Sequence, residues 1–267
     1  MRELKLDRNL AKKMMSDRPL LTIAFSTMPD RVKAIVFPER RADREILVQV
    51  QNPKEISYVV AEKSAKLIEM RSLGVAKSRN AAIERATGKY LLFADDDITF
   101  SEEGIEKALA YLESNPDISI ILTQAKDDAG ELRKDYFKEI KPLRLTNSAR
   151  AATYEMMIRL DPIREKGIRF DENFGAGVPN YLGDEYIFIS DAIRAGLKGV
   201  HFPVVLATHP VESSGSRWGS DQDLKARGSV FSRVFGWRAP LYRAAFLLKS
   251  KNPNPGFAKS LRFIFKG

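Results

Sequence analysis

The stretch Tyr90-Leu91-Leu92-Phe93-Ala94-Asp95-Asp96-Asp97 runs five largely apolar residues straight into three carboxylates. A run of that length suits a strand covered on both faces, as parallel sheets require. Such sheets bind ligands beyond the carboxyl ends of their strands. Three adjacent carboxylates repel one another and gain nothing from a core. A divalent cation that offsets their charge explains them better than a solvated acidic turn. On an extended chain Asp95 and Asp97 point the same way, so one can hold the metal while the other reaches a sugar hydroxyl or a metal-bound water.

The flanking sequence repeats the strand-and-helix alternation. Residues 20–25 are an apolar run ended by the turn cluster Ser26-Thr27-Met28-Pro29-Asp30. Ile46, Val48 and Val50 alternate with polar neighbours up to Asn52-Pro53, which predicts a second strand. Residues 74–87 have helical spacing, with Gly88 at the C′ position. Thr99 and Glu102 form a capping box for a helix to about residue 114. Residues 118–123 and 200–208 read as strands and 183–195 as a helix. The fold class is α/β, with a mixed, mostly parallel sheet flanked by helices. No internal repeat is visible.

Composition narrows the chemistry. The 267 residues contain no cysteine, which removes disulfides, thiol catalysis and iron–sulfur clusters. Two histidines preclude a three-histidine metal site, so a metal must rest mainly on carboxylates. A hard oxygen site suits Mg²⁺ or Mn²⁺ and leaves positions open for phosphate oxygens. His209, at a strand end just before Pro210, is a candidate nitrogen ligand that tilts the choice towards Mn²⁺. Its plain alternative is an ordinary packed histidine. His201 begins the same strand, at the opposite sheet edge, and reads as structural. The charged N-terminus lacks the apolar stretch of a signal peptide, and the longest apolar runs, about five residues, fall short of the roughly 20 of a membrane span. A soluble cytoplasmic protein is the expectation.

The net charge of +9 is unevenly spread. Residues 1–216 carry 33 basic and 33 acidic residues; residues 217–267 carry 11 basic and two acidic. This separates a neutral body from a basic tail.

The motifs Gly74-Val75-Ala76-Lys77-Ser78-Arg79-Asn80 and Gly88 through Asp97 resemble the donor half of family 2 glycosyltransferases of the GT-A fold. Phe170 through Gly177, Gly183-Asp184-Glu185, Gly196 through Pro203 and His209 resemble the acceptor half. The resemblance covers roughly residues 20–216. It implies a nucleotide-sugar half at about 18–125, an acceptor half at about 126–216, and a tail at 217–267. It implies a metal on Asp95 and Asp97, to which His209 is the candidate third ligand named above. Lys77, Arg79 and Asn80 would hold the nucleotide, with Asp95 and Asp96 among its contacts. Ser26, Thr27, Pro29 and Arg31 would frame base and ribose. Gln49, Gln51 or Asn52, ending the second strand, would hydrogen-bond the base edge.

The acidic pair after Gly183 carries the family's catalytic base, which deprotonates an acceptor hydroxyl as it attacks the anomeric carbon with inversion. The family usually has Glu-Asp, the second residue being the base; this chain has Asp184-Glu185. Position favours Glu185, and the swap leaves the choice open. Processive members carry Gln-x-x-Arg-Trp; here Ser214 stands where the Gln would be, before Arg217-Trp218. A single-transfer enzyme is therefore expected, with residues 213–216 as a lid and Arg217 and Trp218 as donor contacts. The implied donor is a UDP-sugar before a GDP-sugar. The implied acceptor is a carbohydrate or a lipid-linked one, in polysaccharide or cell-envelope glycoconjugate synthesis.

In the tail, apolar residues recur at helical spacing with Lys and Arg on the other faces. Residues 228–267 thus form a basic amphipathic pattern suited to an anionic membrane surface, at the inner face of the membrane. Packing of the same stripes on the catalytic body is the alternative. Three other readings compete. Asp95-Asp96-Asp97-Ile98-Thr99 fits the Asp-x-Asp-x-Thr of Asp-nucleophile phosphatases, but that motif belongs on a first strand. A nucleotidyltransferase also uses paired carboxylates. A nucleic-acid-binding module driven by the tail leaves the Asp triplet unexplained, so no nucleic acid is expected. Homo-oligomerisation is compatible with every reading.

Overall fold

The computed structural model describes residues 18–210, 218–250 and 255–266. The strands are β1 (Leu21–Thr27), β2 (Arg44–Gln51), β3 (Lys66–Met70), β4 (Tyr90–Asp95), β5 (Thr99–Phe100), β6 (Ile118–Lys126), β7 (Lys141–Pro142), β8 (Met156–Arg159) and β9 (Lys198–Thr208). The helices are α1 (Val75–Arg85), α2 (Glu102–Ser114), α3 (Leu160–Glu165), α4 (Asp184–Arg194), α5 (Asp221–Phe235), α6 (Ala239–Lys249) and α7 (Phe257–Phe265).

One sheet takes the order β3-β2-β1-β4-β8-β6-β9-β5, with β7 beside β9. β1 pairs in parallel with β2 and β4, β2 with β3, and β6 with β9. β8 enters antiparallel between β4 and β6, so those two strands run the same way. Six strands share one direction and the short β5, β7 and β8 oppose them. The sheet is the mostly parallel one that the sequence predicts. It brings the carboxyl ends of β1, β2, β4 and β9 to one edge.

Both faces of the sheet are covered, which is why its strands are apolar throughout. Leu91 and Phe93 pack with Ala82 and Ile83 of α1 and with Phe188 and Ile189 of α4. Ile23, Phe25 and Leu92 point the other way, onto Ile105, Ala108 and Leu112 of α2. At about 25 cal/mol per Å² of apolar surface buried, these two layers dominate the stabilisation of the fold.

Local readings differ from the structure at several places. α2 is capped by Ser101, whose hydroxyl accepts from the Gly104 amide, and not by Thr99. Thr99 instead pairs with Thr208 across β5 and β9. Gly88 is not a left-handed cap, since α1 closes at Ala86. A Cβ on Gly88 would lie 2.6 Å from the Thr22 nitrogen, so the glycine permits close approach to β1. β3 and β8 were not expected from the sequence.

The basic tail is three helices packed on the body. Val230 and Val234 of α5 join Ile187 of α4 in a small apolar cluster with Phe174 and Tyr186. Phe231 then meets Phe246 of α6 and Phe263 of α7, at ring-centroid distances of 5.4 and 6.1 Å. The buried Arg243 guanidinium ties the unit together, donating to the Gly228 and Ile264 carbonyls and the Ser232 hydroxyl.

Candidate active site

The site lies on the carboxyl edge of the sheet, between the amino ends of α1 and α4. Its centre is Arg79 on α1. This buried guanidinium meets Asp184, the Glu185 carboxylate at 3.4 Å and the Asp95 carboxylate at 3.6 Å, and it lies over the Phe170 ring. Burial alone would lower its pKa, but the three carboxylates outweigh burial and raise it. Arg79 therefore joins the acidic pair to the Asp triplet.

The acidic pair opens α4, where unpaired backbone amides favour anions. Gly183 caps that helix at φ +87, and a Cβ there would lie 2.5 Å from Val230 of α5. Only glycine fits both demands, so the tail presses directly on the turn that sets the pair. The two acids differ sharply. Asp184 is buried beneath Gly175, and burial with the Glu185 charge beside it pushes its pKa up to about 7 against the pull of Arg79. Burial would raise Glu185 too, but Arg79 and a 2.7 Å hydrogen bond from the Thr153 hydroxyl hold it below the ordinary range. Of the two, Asp184 is the one that takes up a proton first as pH falls, and Glu185 is the better held as an anion. Its side chain is 19% exposed against 4% for Asp184, so Glu185 is the one an acceptor can reach.

The Asp triplet divides into three roles. Asp95 faces Arg79; burial pushes its pKa up, Arg79 pulls it back, and Asp97 and Glu185 add to the rise. Asp96 accepts from the Thr27 hydroxyl at 2.7 Å and pairs with Arg31 at 2.5 Å, which fixes the loop after β1. Asp97 accepts from Arg31 through one oxygen. Its other oxygen, Oδ1, is buried without a partner, 3.7 Å from Nε2 of His209.

That gap bears on the metal. His209 is buried, stacked on Tyr154, and its Nδ1 lies 2.6 Å from the Pro210 carbonyl. In the tautomer that donates from Nδ1 to that carbonyl, Nε2 turns a lone pair towards the Asp97 carboxylate. Two acceptors facing each other across a gap too wide for a hydrogen bond fit a bridging cation. Among the described residues, no group of three or more His, Asp or Glu is assembled for one. The fit is therefore Asp97 with His209, with further positions left to phosphate and water.

The other predicted residues sort by whether their polar atoms are already engaged. Gln51 accepts from the Gly74 amide at 2.7 Å, and Asn52 clasps the Ile56 backbone in both directions. Asn80 holds the Phe170 backbone and donates to Glu172, so it acts as a brace. The Ser26 and Ser78 hydroxyls meet at 2.8 Å and join β1 to α1. Gln49, level with Ser26, is fully buried, and neither end of its amide has a partner. Pro29 is buried in the loop after β1, and Lys77 is half-buried in the first turn of α1. Trp218 packs on Phe246 and under Arg227, within the tail. Arg217 and the 213–216 lid lie outside the described residues.

Thr153, which orients Glu185, and Tyr154, which supports His209, were missed by sequence reasoning. Both sit in a short turn before β8, after a long segment with no periodicity, and nothing local marks them.

Residues 40–171 match the model of Glycosyl transferase family 2. An uncharacterised glycosyltransferase of Methanocaldococcus jannaschii is 27% identical over 147 residues, which is 47% of this chain and 51% of that protein. One of Haemophilus influenzae is 45% identical over 53 residues, 20% of this chain and 18% of that protein. The crystal structure of S. aureus TarS 1-349 in complex with UDP-GlcNAc superposes with a TM-score of 0.56 at 14% identity, over 92% of this chain and 70% of that one. The same protein in complex with UDP aligns equally well. Residues 40–171, just under half of the chain, are a glycosyltransferase family 2 match, and the fold is that of the GT-A enzymes. It spans about half the length of the M. jannaschii relative. Among the described residues no helix is long and apolar enough to cross a membrane.

Proposed function

We propose that the protein transfers a single sugar from a UDP-sugar to an acceptor hydroxyl, with inversion at the anomeric carbon and with Mn²⁺ or Mg²⁺ bound. The carrying observation is Glu185: a reachable carboxylate held by Arg79 and Thr153 beside the Asp triplet. The choice of UDP is supported by the TarS complexes. The acceptor in this reading is a carbohydrate or lipid-linked hydroxyl in cell-envelope glycan synthesis, met in the cytoplasm at the inner face of the membrane.

Glu185 takes the proton of the acceptor hydroxyl. That oxygen forms its bond to the anomeric carbon as the carbon–oxygen bond to the diphosphate breaks, and the nucleoside diphosphate leaves. Attack opposite the leaving group inverts the centre. Asp97 and His209 would hold the metal, which supplies charge stabilisation to the departing diphosphate. Gln51 and Asn52 keep the loop after β2 in place, and the buried, unengaged Gln49 amide would meet the uracil edge only if the loop after β1 shifts to uncover it.

The test is incubation with a panel of UDP- and GDP-sugars and candidate acceptors, following nucleotide release and the anomeric configuration of the product. An inverted product from a UDP-sugar, dependent on Mn²⁺ or Mg²⁺, supports the reading. A product with retained configuration overturns it.

A further inference from the structure

The outer surface of the α5–α7 unit is wrong for water. Six of the 14 exposed large apolar residues described in the chain fall between residues 237 and 265. Trp237, Leu248 and Phe257 are 85%, 87% and 80% exposed, and Leu241, Leu261 and Phe265 join them. Scattered apolar residues on a surface need no explanation, but a concentration of them does.

These residues lie on stripes. In α7, Phe257, Leu261 and Phe265 recur every four positions and share one face. Phe263 stands about 200° away from Leu261 and is the residue buried against Phe231 and Phe246. The helix is thus apolar on opposite faces, and the protein covers only one. Trp237, Leu241 and Leu248 fall within a similar stripe along the turn before α6 and α6 itself, while Phe246 points inward.

The charge around these stripes selects their partner. From Gly236 to Gly267 there are seven basic residues and no acidic one, Arg243 being the one buried inside the unit. Arg238 follows Trp237, Lys249 follows Leu248, Arg262 follows Leu261 and Lys266 follows Phe265. The two acids of the tail are engaged internally: Asp221 by Lys259 and Arg262, Asp223 by the α5 cap and the Tyr181 hydroxyl. A second copy of this face would bring like charges together. An anionic lipid surface offers both an apolar layer for the side chains and negative head groups for the cations.

We propose that the exposed faces of α6 and α7 dock the protein on an anionic membrane surface, with Trp237, Leu248, Phe257 and Phe265 inserted at the acyl boundary. The attachment is peripheral and stands independently of the transfer reaction. It gives the buried contacts of α5 a second role, because Val230 rests on Gly183 beside the acidic pair.

The test is flotation of the full chain with vesicles of phosphatidylcholine, with and without phosphatidylglycerol, in the absence of any donor or acceptor. Binding is expected on the anionic vesicles only, and it weakens as salt is added. The Phe257→Ser/Phe265→Ser variant should lose at least about tenfold in partitioning. The Lys249→Glu/Lys266→Glu variant should lose more than about fivefold per site, with unchanged melting temperature, since these side chains project into solvent. Equal binding to neutral vesicles, or no loss in either variant, overturns the proposal. A dimer in solution that the serine variant dissolves, without vesicle binding, assigns the face to a second copy instead.

Discussion

Arg79 and Asp184 form a buried ion pair across 105 positions of sequence, and it fastens the first turns of α1 and α4 together. The same guanidinium faces Glu185 and Asp95, so one cation neutralises three acids. Removing it leaves those acids buried and uncompensated. Arg79→Ala should destabilise the fold by about 3–5 kcal/mol, read as a large drop in denaturation midpoint. It should also move the acid limb of any pH–rate profile upward, because Glu185 loses the charge that keeps it ionised. A stable variant with an unmoved profile would contradict this role.

Asp184 makes a separate prediction about stability. Its pKa in the fold is raised from 3.8 to about 7, so the folded protein binds this proton more tightly than the unfolded chain. The stabilisation is fully present below pH 3.8 and is lost as pH rises towards 7. Asp184→Asn mimics the protonated form and should flatten stability across that window. Denaturant midpoints at several pH values will read it, and an unchanged slope counts against the assignment.

Gln49 and Gln51 are neighbours in sequence type with opposite expected phenotypes. The Gln49 side-chain amide makes no hydrogen bond, so Gln49→Leu should leave stability unchanged or raise it, and weaken UDP binding by about tenfold. Gln51 holds the Gly74 amide, so Gln51→Leu should cost about 1–3 kcal/mol of stability. Thermal melts with and without UDP separate the two effects.

The unpartnered Asp97 oxygen and the facing His209 nitrogen predict a metal effect on the melt. Mn²⁺ with UDP should raise the melting temperature; RT ln(1 + [L]/Kd) gives about 2.7 kcal/mol at a hundredfold excess over Kd. Asp97→Ala should abolish that rise and His209→Ala should reduce it. An undiminished rise in both variants would move the metal elsewhere.

The sheet was readable where apolar runs were long and ended in turn residues, as at 90–97 and 20–30. β8 was not, because Met156-Met157-Ile158-Arg159 is too short to carry a period and leads straight into a helix. β3 is an edge strand with Leu67 half-exposed, so its alternation is weak. Thr99 and Ser101 are both good caps; strand pairing with Thr208 decides between them, and that contact is not local. The acidic residues of the site were found from their clustering. Their division of labour was not, because it depends on Arg79 and Thr153, which reach them from distant segments. The resemblance implies that Arg79 helps hold a nucleotide; in the fold its partners are the acids.

The most direct test of the account is turnover by Glu185→Gln, with UDP affinity measured on the same preparation. Loss of the base should lower transfer by about 10²–10⁴-fold while UDP binds as before, and Asp184→Asn should keep most of its activity near neutral pH. Full turnover in Glu185→Gln, or its loss in Asp184→Asn alone, would contradict the assignment of Glu185 as the base.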